Sequence, residues 1–175
     1  MTQAGDRKAL DPHFHGDALS GLSDLVEAAP STHHGAKLTR ALSAAELGLA
    51  LGVSDDVIRQ REEAGDLFSV VFPQRGPEPA YPAFQAWPDI AGARLKAVLV
   101  ELKLRQLGGA VAYQFFMLRD DALGYVTPVE MLIGSVTSAR PLERWVVEGL
   151  GYPAKERLEI VLRAARTHVA IVEGW

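Results

Sequence analysis

Hydrophobic and polar positions alternate with a helical period through most of the second half of the chain. Between Ile90 and Leu107, Leu95, Val98, Leu99 and Leu102 recur every three or four residues, with Arg94, Lys96, Lys103 and Arg105 between them. That spacing predicts an amphipathic helix, which Gly108-Gly109 is expected to stop. Val111–Leu118 is almost continuously apolar and reads as a buried helix, terminated by Arg119-Asp120-Asp121. Leu123-Gly124-Tyr125 reads as a loop. Thr127-Pro128-Val129-Glu130 has the residues of a capping box, with proline at the first helical position, so a short helix carrying Met131-Leu132-Ile133 should run to Gly134. Pro141–Leu150, with Trp145, Val146 and Leu150, predicts a further helix. Lys155–Ile171 predicts the last, with Leu158, Val161, Leu162, Ala165 and Val169 on one side.

The first half is organised around Leu42–Gln85. Ser43-Ala44-Ala45-Glu46 is a second capping box. Leu47 and Leu51 share a face of the helix it starts, and Gly48 marks a side where another element must come close. Gly52 is placed for a left-handed C-cap, and Ser54 for the N-cap of a second helix with Asp55 and Asp56 in its first turn. Ile58 anchors that helix and Gly65 ends it. The spacing of Leu47, Gly48, Leu51, Gly52, Val53 and Ile58 matches a helix-turn-helix, in which a small residue and a turn glycine set the crossing angle. Leu67–Phe72 is β-branched and aromatic and predicts a strand; Pro73–Pro79 is turn chemistry around Gly76, and Ala80-Tyr81 begins the return. A hairpin in that position is a wing. Lys37–Leu42 is expected to supply a leading helix, and Tyr81–Pro88 a proline-broken hinge pinned by aromatics. The expected fold is therefore mainly α: a leader over 1–36, a helix-turn-helix with a small β-hairpin wing over 37–88, and an all-helical C-terminal domain over 89–175.

Composition narrows the function. In 175 residues 48% are hydrophobic, enough for a real core, and the absence of cysteine excludes disulfides and thiolate zinc sites. No run approaches the ~18 apolar residues of a spanning helix, and Met1–Asp11 holds no apolar block of a secretory signal, so a cytoplasmic protein is expected. Leu19–Ala29 could form a short helix with Leu22, Leu25 and Val26 inward; the rest of the leader reads as flexible. His13-Phe14-His15 and His33-His34 have no carboxylate or cysteine set at ligand spacing, so no metal is expected. Net charge is −4, against the basic footprint expected of a nucleic-acid binder. Within 38–85 the cations Arg40, Arg59, Arg61 and Arg75 face Glu46, Asp55, Asp56, Glu62, Glu63, Asp66 and Glu78. The spacing thus supports the helix-turn-helix shape more strongly than it supports DNA binding by it.

Phe115-Phe116, Leu123-Gly124, Thr127-Pro128-Val129-Glu130-Met131-Leu132 and Val161-Leu162-Arg163-Ala164-Ala165 together resemble the toxin-binding domain of Xre/MbcA/ParS-type antitoxins. Gly65-Asp66-Leu67-Phe68 and Tyr81-Pro82-Ala83-Phe84-Gln85 are similar to the DNA-binding front half found in many of them. The resemblance covers about residues 38–168. It departs at Tyr125, which stands where the family's loop has a second glycine, and at the longer segment 135–156. It implies operator DNA and a cognate toxin, commonly a RES-domain enzyme that degrades NAD, as partners, and a homodimer. On that pattern Arg59 and Gln60 would face bases, Ser54 would donate to phosphate beside Asp55, and Arg75 on the wing would reach the backbone. Phe116, Leu123, Thr127 and Leu132, with Arg163 and Arg166 on the last helix, would hold the toxin.

The alternative is a stand-alone interaction module whose helix-turn-helix no longer reads DNA, favoured by the acidic residues of the second helix. An enzyme is not expected: there is no phosphate-binding loop, dinucleotide fingerprint, metal triad or nucleophile signature, and no cofactor is implied.

Overall fold

The computed structural model describes residues 25–28, 38–73 and 76–174. The histidines of the leader, Leu19, Leu22 and Arg75 lie outside the described residues. Strand β1 (Leu25–Ala28) and β2 (Ala41–Leu42) precede α1 (Ala44–Leu51) and α2 (Asp55–Glu63). Strands β3 (Val70–Val71) and β4 (Pro79–Pro82) follow, then a 3-10 turn over Ala83–Ala86, α3 (Ala93–Glu101) and α4 (Leu104–Met117). The chain ends in α5 (Pro128–Ile133), β5 (Arg140–Glu143), α6 (Arg144–Leu150) and α7 (Ala154–Glu173). It is mainly helical, with two small antiparallel sheets among the described residues, β1-β5 and β2-β4-β3.

The local chemistry explains the helix ends. Ser43 accepts from the Glu46 amide at 3.2 Å while the Glu46 carboxylate takes the Ser43 amide at 2.7 Å. Gly52, at φ +70°, returns its amide to the carbonyls of the last turn of α1, and the Ser54 hydroxyl accepts from Val57 to start α2. Gly48 is small for a reason that the geometry makes plain: a Cβ there would stand 2.6 Å from the Val53 carbonyl oxygen, where the chain turns into α2. The same grammar recurs at α5, with a complete capping box between Thr127 and Glu130, proline at the helix start and Gly134 at φ +71°.

Four expectations need correction. Residues 25–28 are not helical: they form β1, paired Leu25↔Glu143 to Ala28↔Arg140, because Val26 and Ala28 alternate inward as a strand requires. Pro141–Leu150 is correspondingly split, with 140–143 in β5 and the helix starting only at Arg144, so the C-terminal half is not all-helical. Ala41-Leu42 is a strand against Tyr81-Pro82 rather than the end of a leading helix. The long helix expected over Ile90–Leu107 breaks earlier than its glycines, at Lys103, which takes a left-handed conformation (φ +49°) while its ammonium group is held by Glu173 at 2.6 Å. Gly108 then kinks α4 without ending it (φ +82°), and Gly109 lets the resumed helix lie directly on the Ser69 carbonyl.

Among the described residues most of the core is one contiguous apolar cluster, and Ala41, Phe72 and Ala80 form a small second one. The large cluster includes Leu47 and Ile58 from the first helix pair, Phe68 and Phe84 from the hairpin region, and Leu95, Val98, Phe116, Val129 and Val161 from the later helices. The boundary drawn at residues 88/89 separates segments of chain, and the core crosses it.

Candidate nucleic-acid and partner interface

The first candidate surface is α2 and the hairpin behind it. Ile58 is fully buried, and Asp56, Arg59, Gln60, Arg61 and Glu63 are exposed. Arg59 and Gln60, the residues assigned to bases, are thus both exposed on α2, with Arg61 beside them in sequence. Arg59 is already engaged on its own helix, by Asp55 at 3.2 Å and Asp56 at 3.9 Å. Ser54 is exposed, with its oxygen used as the cap.

Behind this face, Glu62 ties α2 to the hairpin. One carboxylate oxygen accepts from the Ser69 hydroxyl and the other from the Tyr81 hydroxyl, so both arms of the hairpin hang on one side chain. Burial pushes the Tyr81 phenol well above its ordinary range, and its hydrogen bond to the Glu62 carboxylate adds to the rise. Gln85, fully buried, completes the fixture. Its carbonyl oxygen accepts the Phe68 amide at 3.0 Å and its amide donates to the Phe68 carbonyl at 2.7 Å, replacing the ladder that a longer β3 would have supplied. This is why the strand expected over Leu67–Phe72 shrinks to Val70–Val71: the backbone groups of Phe68 are paired to a side chain instead. At the C-terminal end of α2, Arg105 donates to the Ala64 carbonyl at 2.8 Å, a cation where the helix dipole favours one.

The second candidate surface was expected around Phe116, Leu123, Thr127 and Leu132. All four are buried, at 0, 1, 6 and 2% exposure, and cannot present a face to a partner. Phe116 lies at the centre of the core, stacked on Phe68 at 6.0 Å and tilted against Phe84 at 5.1 Å. A fully buried aromatic between two other buried aromatics is core packing. Thr127 caps α5, and Leu123 and Leu132 pack inward from the loop and from α5. Arg163 and Arg166 are exposed on α7, and Arg166 is paired with Glu101 at 2.9 Å. The groups this region does expose are Tyr125 (63%), Trp145 (51%) and Leu118 (54%).

What the sequence pattern did not disclose is the node beneath that loop. Glu130, 1% exposed, accepts both terminal nitrogens of Arg140, at 3.0 and 2.7 Å. It also accepts the Thr127 amide at 3.0 Å and the Thr137 amide and hydroxyl at 2.8 Å each. Burial would raise the Glu130 carboxyl, but the Arg140 guanidinium and these donors outweigh it and hold the group down at about 2. Arg140 also donates to the Tyr125 carbonyl at 3.4 Å. One carboxylate thus joins the cap of α5, the start of β5 and the loop that carries Tyr125, a non-glycine residue at φ +64°. Glu130 was visible as a capping residue; Arg140, ten positions away at the start of a strand whose other residues read as helix, carried no local signal.

Among the described residues no group of three or more histidine, aspartate or glutamate side chains could hold a metal ion, and no helix is long and apolar enough to cross a membrane. In comparisons with protein families, with curated proteins and with solved structures, nothing matches the chain.

Proposed function

We propose that the chain is an antitoxin-type regulator: α1 and α2 form a helix-turn-helix, the β3–β4 hairpin is its wing, and the C-terminal half holds a partner toxin, of the RES-domain kind that the sequence resemblance implies. The observation that carries this reading is the corner between the helices. Gly48 lies against the Val53 carbonyl, Gly52 is left-handed, and Ser54 restarts the chain, with the order strand, helix, turn, helix, hairpin around it. An ordinary helical hairpin needs neither the close glycine nor the following sheet. In this reading the toxin meets the exposed Tyr125, Trp145 and Arg163, and Phe116, Leu123, Thr127 and Leu132 support that surface from within.

A second reading has a specific observation behind it. Asp55 and Asp56 occupy Arg59 and place negative charge at the end of α2 that would approach phosphate. A head so neutralised would serve protein binding alone. A gel-shift titration on the DNA upstream of the coding region separates the two. If α2 reads DNA, Arg59→Ala weakens binding by ~1–3 kcal/mol, and affinity falls steeply with salt through counterion release. Asp55→Asn together with Asp56→Asn frees Arg59 and tightens binding. No shift for any of these proteins removes the DNA half of the proposal and leaves the interaction module.

A further inference from the structure

We propose that the pocket where the end of α2 meets the break between α3 and α4 binds a small amphiphilic anion, a short acyl or aryl carboxylate. Its head group would lie on Arg105 and Lys96, and its apolar body on Val100 and Leu104. The inference rests on the lining of that pocket and stands whether or not α2 reads DNA.

The pocket holds about 270 Å³, just under the ~300–1,000 Å³ of sites for drug-sized ligands, so its occupant is small. Its apolar wall is Leu99, buried in the core, with half-buried Leu104 and with Val100, which is 66% exposed. Three cations line it, Lys96, Lys103 and Arg105, against a single acid, Asp66. A concave apolar wall under a cationic rim suits a ligand that is apolar at one end and anionic at the other.

The backbone is arranged to leave these cations at the rim. Gly65, at φ +79°, carries no Cβ, and one placed there would stand 3.2 Å from Arg105 Nε. Arg105 therefore lies along bare backbone, where one terminal nitrogen donates to the Ala64 carbonyl at 2.8 Å and to that of Glu63 at 3.4 Å. Among the described residues no carboxylate pairs with it. Lys103, left-handed at φ +49°, breaks the helix beside it. Its ammonium is held by Glu173 at 2.6 Å, and that of Lys96 by Asp66 at 2.9 Å. Both are exposed ion pairs, which contribute little and exchange readily with another anion. The pocket thus offers one guanidinium without an acid partner and two ammonium groups whose partners are replaceable. Such exposed charges hold a bare inorganic anion weakly in water; burying an apolar body against Val100 and Leu104 supplies the rest of the affinity.

The test is an amide chemical-shift titration of the nitrogen-labelled full chain with sodium octanoate, beside inorganic phosphate as a head without a body and octanol as a body without a head. Octanoate is expected to shift Gly65, Val100 and Arg105 saturably, and the other two to bind at least about tenfold more weakly. Val100→Glu, which sets a carboxylate at the mouth, should weaken octanoate by about tenfold or more, and Lys96→Gln by about threefold. Both positions are exposed, so the variants should keep the wild-type circular dichroism and urea midpoint. Lys155→Gln, at an exposed cation on α7 outside the pocket, should leave the titration unchanged. No saturable shift in the wild type, or an octanoate affinity that Val100→Glu and Lys96→Gln leave intact, overturns the proposal. So does phosphate binding as tightly as octanoate, which would make the site a set of surface ion pairs, or octanol doing so, which would make it an apolar contact alone.

Discussion

Replacing Glu130 by glutamine removes one charge and almost no volume, and it tests whether the buried node is the strongest electrostatic contribution to the fold. The carboxyl falls from an ordinary 4.5 to about 2 in the folded chain. At about 1.4 kcal/mol for each pH unit, the difference corresponds to roughly 3 kcal/mol of stability at neutral pH. The sign follows from the direction: a depressed carboxyl contributes fully above its unfolded value of 4.5 and loses that contribution as the pH falls toward about 2. The Glu130 side chain is 2% exposed and that of Arg140 13%, so solvent screens the pair little. Glutamine cannot hold a guanidinium through two charged oxygens, and it leaves Arg140 as a largely buried, unpaired cation, for which a loss of about 3–5 kcal/mol is the usual scale. The measurement is urea unfolding followed by tryptophan fluorescence. At pH 7 Glu130→Gln should be less stable by about 3 kcal/mol, and the gap should close progressively between pH 4.5 and about 2. A companion pair of substitutions, Glu130→Leu with Arg140→Met, should recover most of the loss, because it removes the buried charge from both sides. A gap under about 1 kcal/mol at pH 7, or one that does not narrow toward acid, would refute the assignment of this stability to the ion pair.

Other consequences are simpler to read. Alanine normally improves a helix interior over glycine by ~1 kcal/mol, but Gly48→Ala should destabilise by about 1–3 kcal/mol, because its methyl meets a backbone carbonyl that can move only by opening the α1–α2 corner; a stabilised variant in chemical denaturation would show that the corner is not tight. Gln85→Leu should cost about 2–4 kcal/mol by stranding the amide and carbonyl of Phe68 in the core, and it should expose the hairpin to amide hydrogen exchange before the helices; unchanged exchange there would mean that Gln85 is not its fastening.

Local chemistry was legible where it acts over a few residues. The capping boxes at Ser43 and Thr127, the left-handed glycines at 52 and 134 and the amphipathic stripe of the last helix are all short-range devices, and each appears where the spacing placed it. What failed depends on partners far along the chain. Arg140-Pro141-Leu142-Glu143 contains a residue that starts helices, and nothing nearby indicates that Leu25–Ala28 will pair with it. The break at Lys103 opposes a continuous helical period and is held by Glu173, some seventy positions away. For the residues assigned to a partner, the apolar pattern marks Phe116 and Leu132 as inward-facing, and the structure buries both along with Leu123, Phe116 stacking between Phe68 and Phe84.

That stacking also decides how the two halves of the chain can work together. Phe116 belongs to α4 and Phe68 to the segment entering the hairpin, with their rings parallel to within 7°. About two turns earlier on α4, Gly109 lies on the Ser69 carbonyl, and Arg105, nearer the start of α4, grips the end of α2. A reading head on a flexible stalk would carry none of these contacts, since each requires α2, the hairpin and α4 to hold one relative position. Close-packed interiors transmit displacement rather than absorb it. A displacement of α4 would therefore be carried to the hairpin and α2, through Ser69 and Glu62. The contacts of α2, the hairpin and α4 hold these elements in one relative position and require no hinge between them.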